Sequence, residues 1–227
     1  MEKQPETGRV LLINKPFQWT SFDVVNKLRY RLKIRKIGHA GTLDPLATGL
    51  LIICTGKMTK RIDEFMGLEK EYTGKFVMGK STASHDLETA IHEEKDISGL
   101  TAERIHQATA ALTGNIRQLP PMHSAIKIGG KRAYQFARKV QEIDLKHREV
   151  EVKFFEITSI ELPEVSFRIV CSKGTYIRSI ARDFGNALGV GAYLTDLCRT
   201  RIGNFRLEDA ETIDPIEPEA VKGDAGV

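Results

Sequence analysis

Apolar positions along this chain recur in two rhythms, and the alternation between them predicts its elements. Val10, Leu11, Leu12 and Ile13 form a short continuous run from Arg9 to Asn14, the pattern of a buried strand, closed by the stiff pair Lys15-Pro16. A helix is expected next, capped by Thr20 or Ser21 with Asp23 in its first turn, because Phe22, Val25, Leu28 and Leu32 repeat at helical spacing. Leu50 to Cys54 reads as a second buried strand, and Met58 to Met66 as a short helix facing inward with Ile62, Phe65 and Met66. Tyr72, Gly74, Phe76 and Met78 then alternate with Thr73, Lys75 and Val77, the two-residue period of a strand. Lys80 to Gly99 is polar and irregular, a surface excursion.

A helix capped by Thr101 is expected to bury Ile105, Ala108 and Leu112 and to stop at Gly114. Leu119-Pro120-Pro121 breaks regular structure, with a short helix expected around Tyr134 to Val140. Val150, Val152 and Phe154 alternate with charges as a strand, and Ser166 to Cys171 forms another. Lys173-Gly174-Thr175-Tyr176 then leads into a helix ending at Leu188 and Gly189. A last strand is expected near Ile202 to Leu207, before an acidic tail from Glu211. Strands and helices are interspersed without a βαβ period, a nucleotide fingerprint or an internal repeat. The pattern predicts a mixed α+β fold rather than a Rossmann or P-loop unit.

Composition narrows the setting. The 227 residues can bury a substantial core, and three scattered cysteines, Cys54, Cys171 and Cys198, fit reduced thiols better than a disulfide or zinc framework. The polar start and the lack of any long apolar run lead to the expectation of a soluble, cytoplasmic protein with no membrane association. The net charge is only +4, but its distribution is uneven. Between His123 and Arg148, the basic residues Lys127, Lys131, Arg132, Arg138, Lys139, Lys146, His147 and Arg148 face only Glu142 and Asp144. Such a segment suits phosphate contacts that give affinity and salt dependence rather than sequence choice.

The run Gly38-His39-Ala40-Gly41-Thr42-Leu43-Asp44-Pro45-Leu46-Ala47-Thr48-Gly49 boxes one carboxylate between glycines and a proline. Glycines open backbone angles closed to other residues, and Pro45 restricts Asp44, so a stiff loop presents one carboxylate. Asp-Pro beside glycines also marks ordinary turns. If the basic segment holds a nucleic acid, a lone aspartate can attack a sugar carbon, take a proton from one, or stabilise an oxocarbenium ion. Phosphoryl chemistry needs clustered carboxylates and metal ions, which the residues around Asp44 do not supply.

Five ordered motifs carry a resemblance. Lys15-Pro16, the Asp44 run, Lys70-Glu71-Tyr72, Pro120-Pro121-Met122-His123-Ser124-Ala125-Ile126-Lys127 and Cys171-Ser172-Lys173-Gly174-Thr175-Tyr176-Ile177-Arg178 together resemble the TruB family of tRNA pseudouridine synthases, from about Arg9 to Asp209. The resemblance implies a pseudouridine synthase fold, with a mixed, largely antiparallel central sheet, flanking helices and a thumb-like basic insertion at about 120–149. It implies a catalytic domain at 9–210. Flexible tails are expected at 1–8 and 211–227, and because only a short tail follows Asp209, where many bacterial members of the family carry a C-terminal PUA domain, no PUA domain is expected, a departure from that pattern.

The implied activity is isomerisation of uridine 55 in the T-loop of tRNA by base flipping and glycosidic bond exchange, without a cofactor or a metal. The implied partner is the T-stem and loop of tRNA; a monomer is expected, since nothing in the sequence suggests a dimer. Asp44 matches the catalytic aspartate, as nucleophile or by promoting proton loss at the 2′ carbon. Tyr72 matches the active-site tyrosine, and Arg178 the arginine paired with the aspartate. Tyr176 and Leu197 match residues lining the uracil pocket. His39 matches the histidine that fills the place of the flipped base, and Lys15 and Pro16 the pair under the pocket. Lys127, Lys131, Arg132, Arg138 and Lys139 become the residues expected on the RNA backbone.

Two local departures stand out. Ala83, in Gly79-Lys80-Ser81-Thr82-Ala83-Ser84-His85-Asp86, replaces a usual aspartate, and His123 replaces a usual tyrosine. Two rival readings remain at this level: an RNA-binding folding helper without chemistry, and a glycoside hydrolase. The second needs two carboxylates flanking the scissile bond, and the motifs supply only Asp44.

Overall fold

In a computed structural model of the chain, residues 8–122 and 146–213 are described, together with the backbone of 127–128 and 131–132. The helix expected at 134–140 and the side chains of the basic insertion lie outside the described residues. The architecture is α+β, a mixed and largely antiparallel sheet with four α-helices among the described residues. The chain divides into two compact units, 1–72 with 197–227, and 73–196.

The first unit is built around β3 (Thr48–Thr55), which pairs antiparallel with β1 (Val10–Lys15) and β2 (Ile37–Ala40). Its apolar run is continuous because both faces are covered. Leu51 and Ile53 pack with Leu11, Ile13, Val24, Val25 and Leu28, whereas Leu50, Ile52 and Cys54 pack with Ala40, Phe65 and Ile202. Helix α1 (Ser21–Leu32) covers the first face. Thr20 caps it in a capping box with Asp23, whose carboxyl is held below its usual range by the Thr20 side-chain and backbone hydrogen bonds. Phe22, expected on the buried stripe, is instead exposed, and Val24 takes the inward position. The segment Met58 to Met66 is split between a 3-10 turn and α2 (Ile62–Gly67), which buries Phe65 but leaves Met66 outside.

The tail does not leave the fold at Glu211. Glu211–Thr212 adds a short parallel strand to β1, and the next residue, Ile213, is buried with the α1 face. One apolar side chain with a place in the core suffices to order the polar residues before it.

β4 (Lys70–Met78) and β12 (Ala192–Ile202) each contribute residues to both units. In the first unit β12 runs parallel to β3, and β13 (Phe205–Arg206) turns back on it. The second unit has the strand order β4, β11 (Glu164–Cys171), β10 (Arg148–Glu161), β7 (Gly114–Gln118). Its core is aromatic: Phe76 stacks on Phe167 at 4.1 Å, Phe155 packs against both of these rings, and Phe184 packs against Phe76 and Phe155. The expected alternation of Val150, Val152 and Phe154 breaks at a bulge between Val152 and Phe154. The extra residue turns Phe154 outward and buries Phe155 instead.

Helices α3 (Ala102–Ala110) and α4 (Ile177–Leu188) complete this unit. Gly114, expected as a helix stop, opens β7, because the helix already ends at Ala111. Two hairpins stand apart: β5 (Lys80–Thr82) with β6 (Ile91–Glu94), and β8 (Lys127–Ile128) with β9 (Lys131–Arg132). The polar excursion therefore contains regular structure, and Thr82, Ser84 and Asp86 within it are buried.

Candidate functional site

In the first unit, three buried polar side chains fasten the loop that carries Asp44. Ser21 opens α1, and its hydroxyl accepts from the Leu43 N–H at 2.8 Å and donates to the Leu43 carbonyl at 3.2 Å. Lys15 ends β1 with none of its surface exposed, and its Nζ donates to the carbonyls of Trp19 (2.6 Å), Pro16 (2.8 Å) and Pro45 (3.2 Å). All three ammonium protons have acceptors. Burial pushes the Lys15 pKa down to about 8, against the pull of the Asp44 and Asp23 carboxylates, with the Arg199 charge adding to the lowering. The third support is Arg199 on β12, which donates to Leu50 at 2.8 Å and Gly41 at 3.2 Å.

Two glycines allow this closure. Gly41 has φ +93° and Gly49 φ +99°; a Cβ on Gly49 would sit 2.4 Å from the Arg199 carbonyl oxygen. Within the loop, the Asp44 carbonyl accepts from the Ala47 N–H, closing a turn over Pro45. Asp44 itself is half-buried, so a fixed backbone holds its carboxylate where reactant can still reach it. His39 lies on β2 opposite Ile53, half-buried. Leu197 is buried on β12, and its carbonyl accepts from Thr48 at 3.4 Å, placing it beside the end of the Asp44 loop. Tyr72 is 8% exposed on β4.

The second unit holds Tyr176 and Arg178 at the start of α4. Gln118, fully buried, clamps the Tyr176 backbone from both sides. Its amide donates to the Tyr176 carbonyl at 3.1 Å and its side-chain oxygen accepts from the Tyr176 N–H at 2.8 Å. Arg148 lies over the Tyr176 ring, 5.1 Å from its centroid. Arg178 is 3% exposed in the first turn of α4. A cation there opposes the helix dipole and is costly to bury, so it needs an anionic partner. Asp86 is one: its carboxylate lies 3.6 Å from Arg178 Nε, with both side chains buried, and also accepts from the Glu88 N–H at 2.9 Å.

Residues 29–177 match the sequence model of the TruB family pseudouridylate synthase (N terminal domain). The chain belongs to this family. It is 51% identical to the tRNA pseudouridine synthase B of Flavobacterium johnsoniae, over 92% of this chain and 95% of the relative. To that of Parabacteroides distasonis it is 48% identical over 95% and 96%. Among solved structures, a crystal structure of a Cbf5-Nop10-Gar1 complex aligns at 31% identity and TM-score 0.71, covering 91% of this chain. This chain spans about half the length of that one, 52%. These likenesses make the protein a pseudouridine synthase, an isomerase, with the fold of that class.

Of the residues expected in the synthase site, Lys15, Pro16, His39, Asp44, Tyr72 and Leu197 belong to the first unit and Tyr176 and Arg178 to the second. The structure brings Lys15 to the Asp44 loop and Leu197 to the loop's end. Side chains of Lys127, Lys131 and Arg132, and all of Arg138 and Lys139, lie outside the described residues. Four supporting residues were missed by the sequence reading: Ser21, Arg199, Gln118 and Asp86. Each acts by satisfying backbone or charge from a distant part of the chain. Asp86 had one available signal, as the only carboxylate in Gly79 to Asp86.

Two further effects are expected here. Gln118→Leu keeps the volume but strands both Tyr176 backbone groups, lowering stability by about 2–4 kcal/mol in urea unfolding. His85, beside the Arg178–Asp86 pair, has its pKa pushed down to about 4 by burial and by the charges of Arg182 and Arg178. The unfolded chain binds this proton near pH 6.5 and the folded one only near 4, so stability falls as pH drops through that window. The loss reaches about 2–3 kcal/mol at pH 4.5. Urea unfolding at pH 7 and 4.5 should show it in the wild type and not in His85→Gln.

Proposed function

We propose that the protein isomerises uridine 55 in the T-loop of tRNA to pseudouridine. The observation that carries this reading is the near-full-length likeness to tRNA pseudouridine synthase B, together with the rigidly held Asp44 loop that likeness contains. On this reading the target nucleotide is flipped out of its stack, at a cost of a few kcal/mol offset by binding elsewhere. The Asp44 carboxylate acts at the ribose, as nucleophile or by promoting loss of the 2′ proton, while the N-glycosidic bond breaks. The uracil turns and re-attaches through carbon 5; the carbon-5 proton is released to solvent, N1 takes up a proton, and the ribose is restored by return of the 2′ proton or by cleavage of the bond to Asp44.

Tyr72, Tyr176 and Leu197 keep the base-contacting roles that the family assigns them, and His39 fills the space the flipped base vacates. Lys15 and Pro16 hold the loop. The role of Arg178, keeping the catalytic carboxylate ionised, requires a guanidinium fixed in one orientation, which a buried partner such as Asp86 supports. Lys127, Lys131, Arg132, Arg138 and Lys139 grip the T-stem backbone. The protein works as a cytoplasmic monomer, and the chemistry calls on no cofactor.

The test is tritium release from a tRNA transcript labelled at carbon 5 of uridine. One equivalent per tRNA, and none when uridine 55 is replaced by cytidine, is the expected result. RNA binding without release would leave a folding helper, and release from the cytidine-55 transcript would move the target elsewhere.

A further inference from the structure

Residues 24–43 carry Lys27, Arg29, Arg31, Lys33, Arg35 and Lys36 without one aspartate or glutamate. The segment lies wholly in the first unit. α1 ends at Leu32, Lys33 stops it in the left-handed conformation with φ 53°, and Arg35 and Lys36 lead directly into β2. Arg29, Tyr30, Arg31, Lys33, Ile34 and Arg35 line an open hollow of about 450 Å³. Tyr30 stands beside it with 85% of its surface exposed.

The charges beyond the helix, on Lys33, Arg35 and Lys36, are exposed. Arg29 rests on neutral groups, the Asn26 side-chain oxygen at 2.8 Å and the Phe22 ring at 5.9 Å. Arg31 donates to the Ile213 carbonyl at 2.7 Å. Among the described residues, no carboxylate forms an ion pair with Lys33, Arg35 or Lys36, which are all exposed. The nearest acid on α1, Asp23, is engaged in the capping box. Bases in the last helical turn complement the helix dipole, which accounts for Arg29 and Arg31. It does not account for three more cations beyond the helix, nor for an aromatic ring held in water.

Uncompensated cations around an exposed aromatic ring are the chemistry of a nucleic-acid backbone contact with a stacking platform. We propose that this surface is a second RNA-binding face, separate from the basic insertion. Lys33, Arg35 and Lys36 take phosphates, and Tyr30 stacks on an unpaired base. The proposal rests on the reading of the chain as a tRNA-modifying enzyme, and RNA is its occupant for that reason. Lys36 stands three residues before His39, so the contact enters the sequence next to the catalytic loop.

The experiment compares wild type, the triple variant Lys33→Gln, Arg35→Gln, Lys36→Gln, and Tyr30→Ala, in binding to an unmodified tRNA transcript across a salt series. Three lost phosphate contacts should lower the slope of log affinity against log salt by about 2 to 3, and weaken binding about tenfold or more at moderate salt. Tyr30→Ala should weaken binding about fivefold or more without changing the slope. Single-turnover conversion at saturating tRNA should match wild type in both variants. Unchanged affinity and slope in the triple variant would overturn the proposal. So would an equal loss on a DNA duplex, which would mark general polyanion attraction. A wild type that forms no pseudouridine, with variants that still lose RNA affinity, would sink the enzyme reading and leave this surface standing.

Discussion

Asp44→Asn is expected to reduce pseudouridine formation by about 10⁴-fold or more, the scale of losses when the acting group is removed from a preorganised site. The substitution is nearly isosteric, and the loop is held through backbone atoms of Leu43, Pro45 and Gly41, none of which it touches. Fold and tRNA affinity should therefore stay within a few-fold of wild type. A second readout does not depend on activity. The Asp44 carboxylate is one of the charges that favour protonated Lys15, so removing it should lower the Lys15 pKa further below about 8. Single-turnover tritium release, filter binding and NMR titration of the lysine together check the claim. Release above 1% of the wild-type rate would take Asp44 out of the chemistry.

Asp86→Ala should have the largest effect on stability. Arg178 is buried at the N-terminal end of a helix, where the dipole already disfavours it, and Asp86 is a buried partner holding it. Breaking a buried pair by removing one member costs about 3–5 kcal/mol, because the remaining charge is left uncompensated. The Glu88 N–H also loses its acceptor. Removing both charges should be gentler than removing one, so Asp86→Ala combined with Arg178→Met should recover part of the loss. Catalysis should fall about 100-fold in kcat with little change in tRNA affinity, since Arg178 would lose its orientation. Urea unfolding of the two single variants and the double variant decides the stability claim. A single-variant loss under 1 kcal/mol would show that the pair does not hold Arg178.

Much of the candidate site was legible in sequence because its signals are local. A proline after Asp44, glycines at 41 and 49, and a capping threonine at 20 act on their own backbone, and the structure places a turn, two positive φ angles and a helix start at those positions. The polar stretch after Gly79 misled for the opposite reason. Thr82, Ser84 and Asp86 look like surface residues until a distant arginine and their own backbone are brought to them. β12 was mostly missed because Thr195, Asp196, Arg199 and Arg201 interrupt its apolar pattern, although Arg199 is buried through hydrogen bonds to carbonyls 149 and 158 residues away. The outward turn of Phe154 depends on a bulge, and a one-residue shift of register leaves no local trace.

By itself, then, the sequence determined the α+β class, the family motifs and the stiff loop that presents Asp44. Glycine, proline, capping and hydrophobic period constrain the chain over a few residues, whatever lies beyond. Only the tertiary structure decided what holds that loop and what holds Arg178. A buried lysine, arginine, glutamine or aspartate is stable only where separate segments converge to satisfy it.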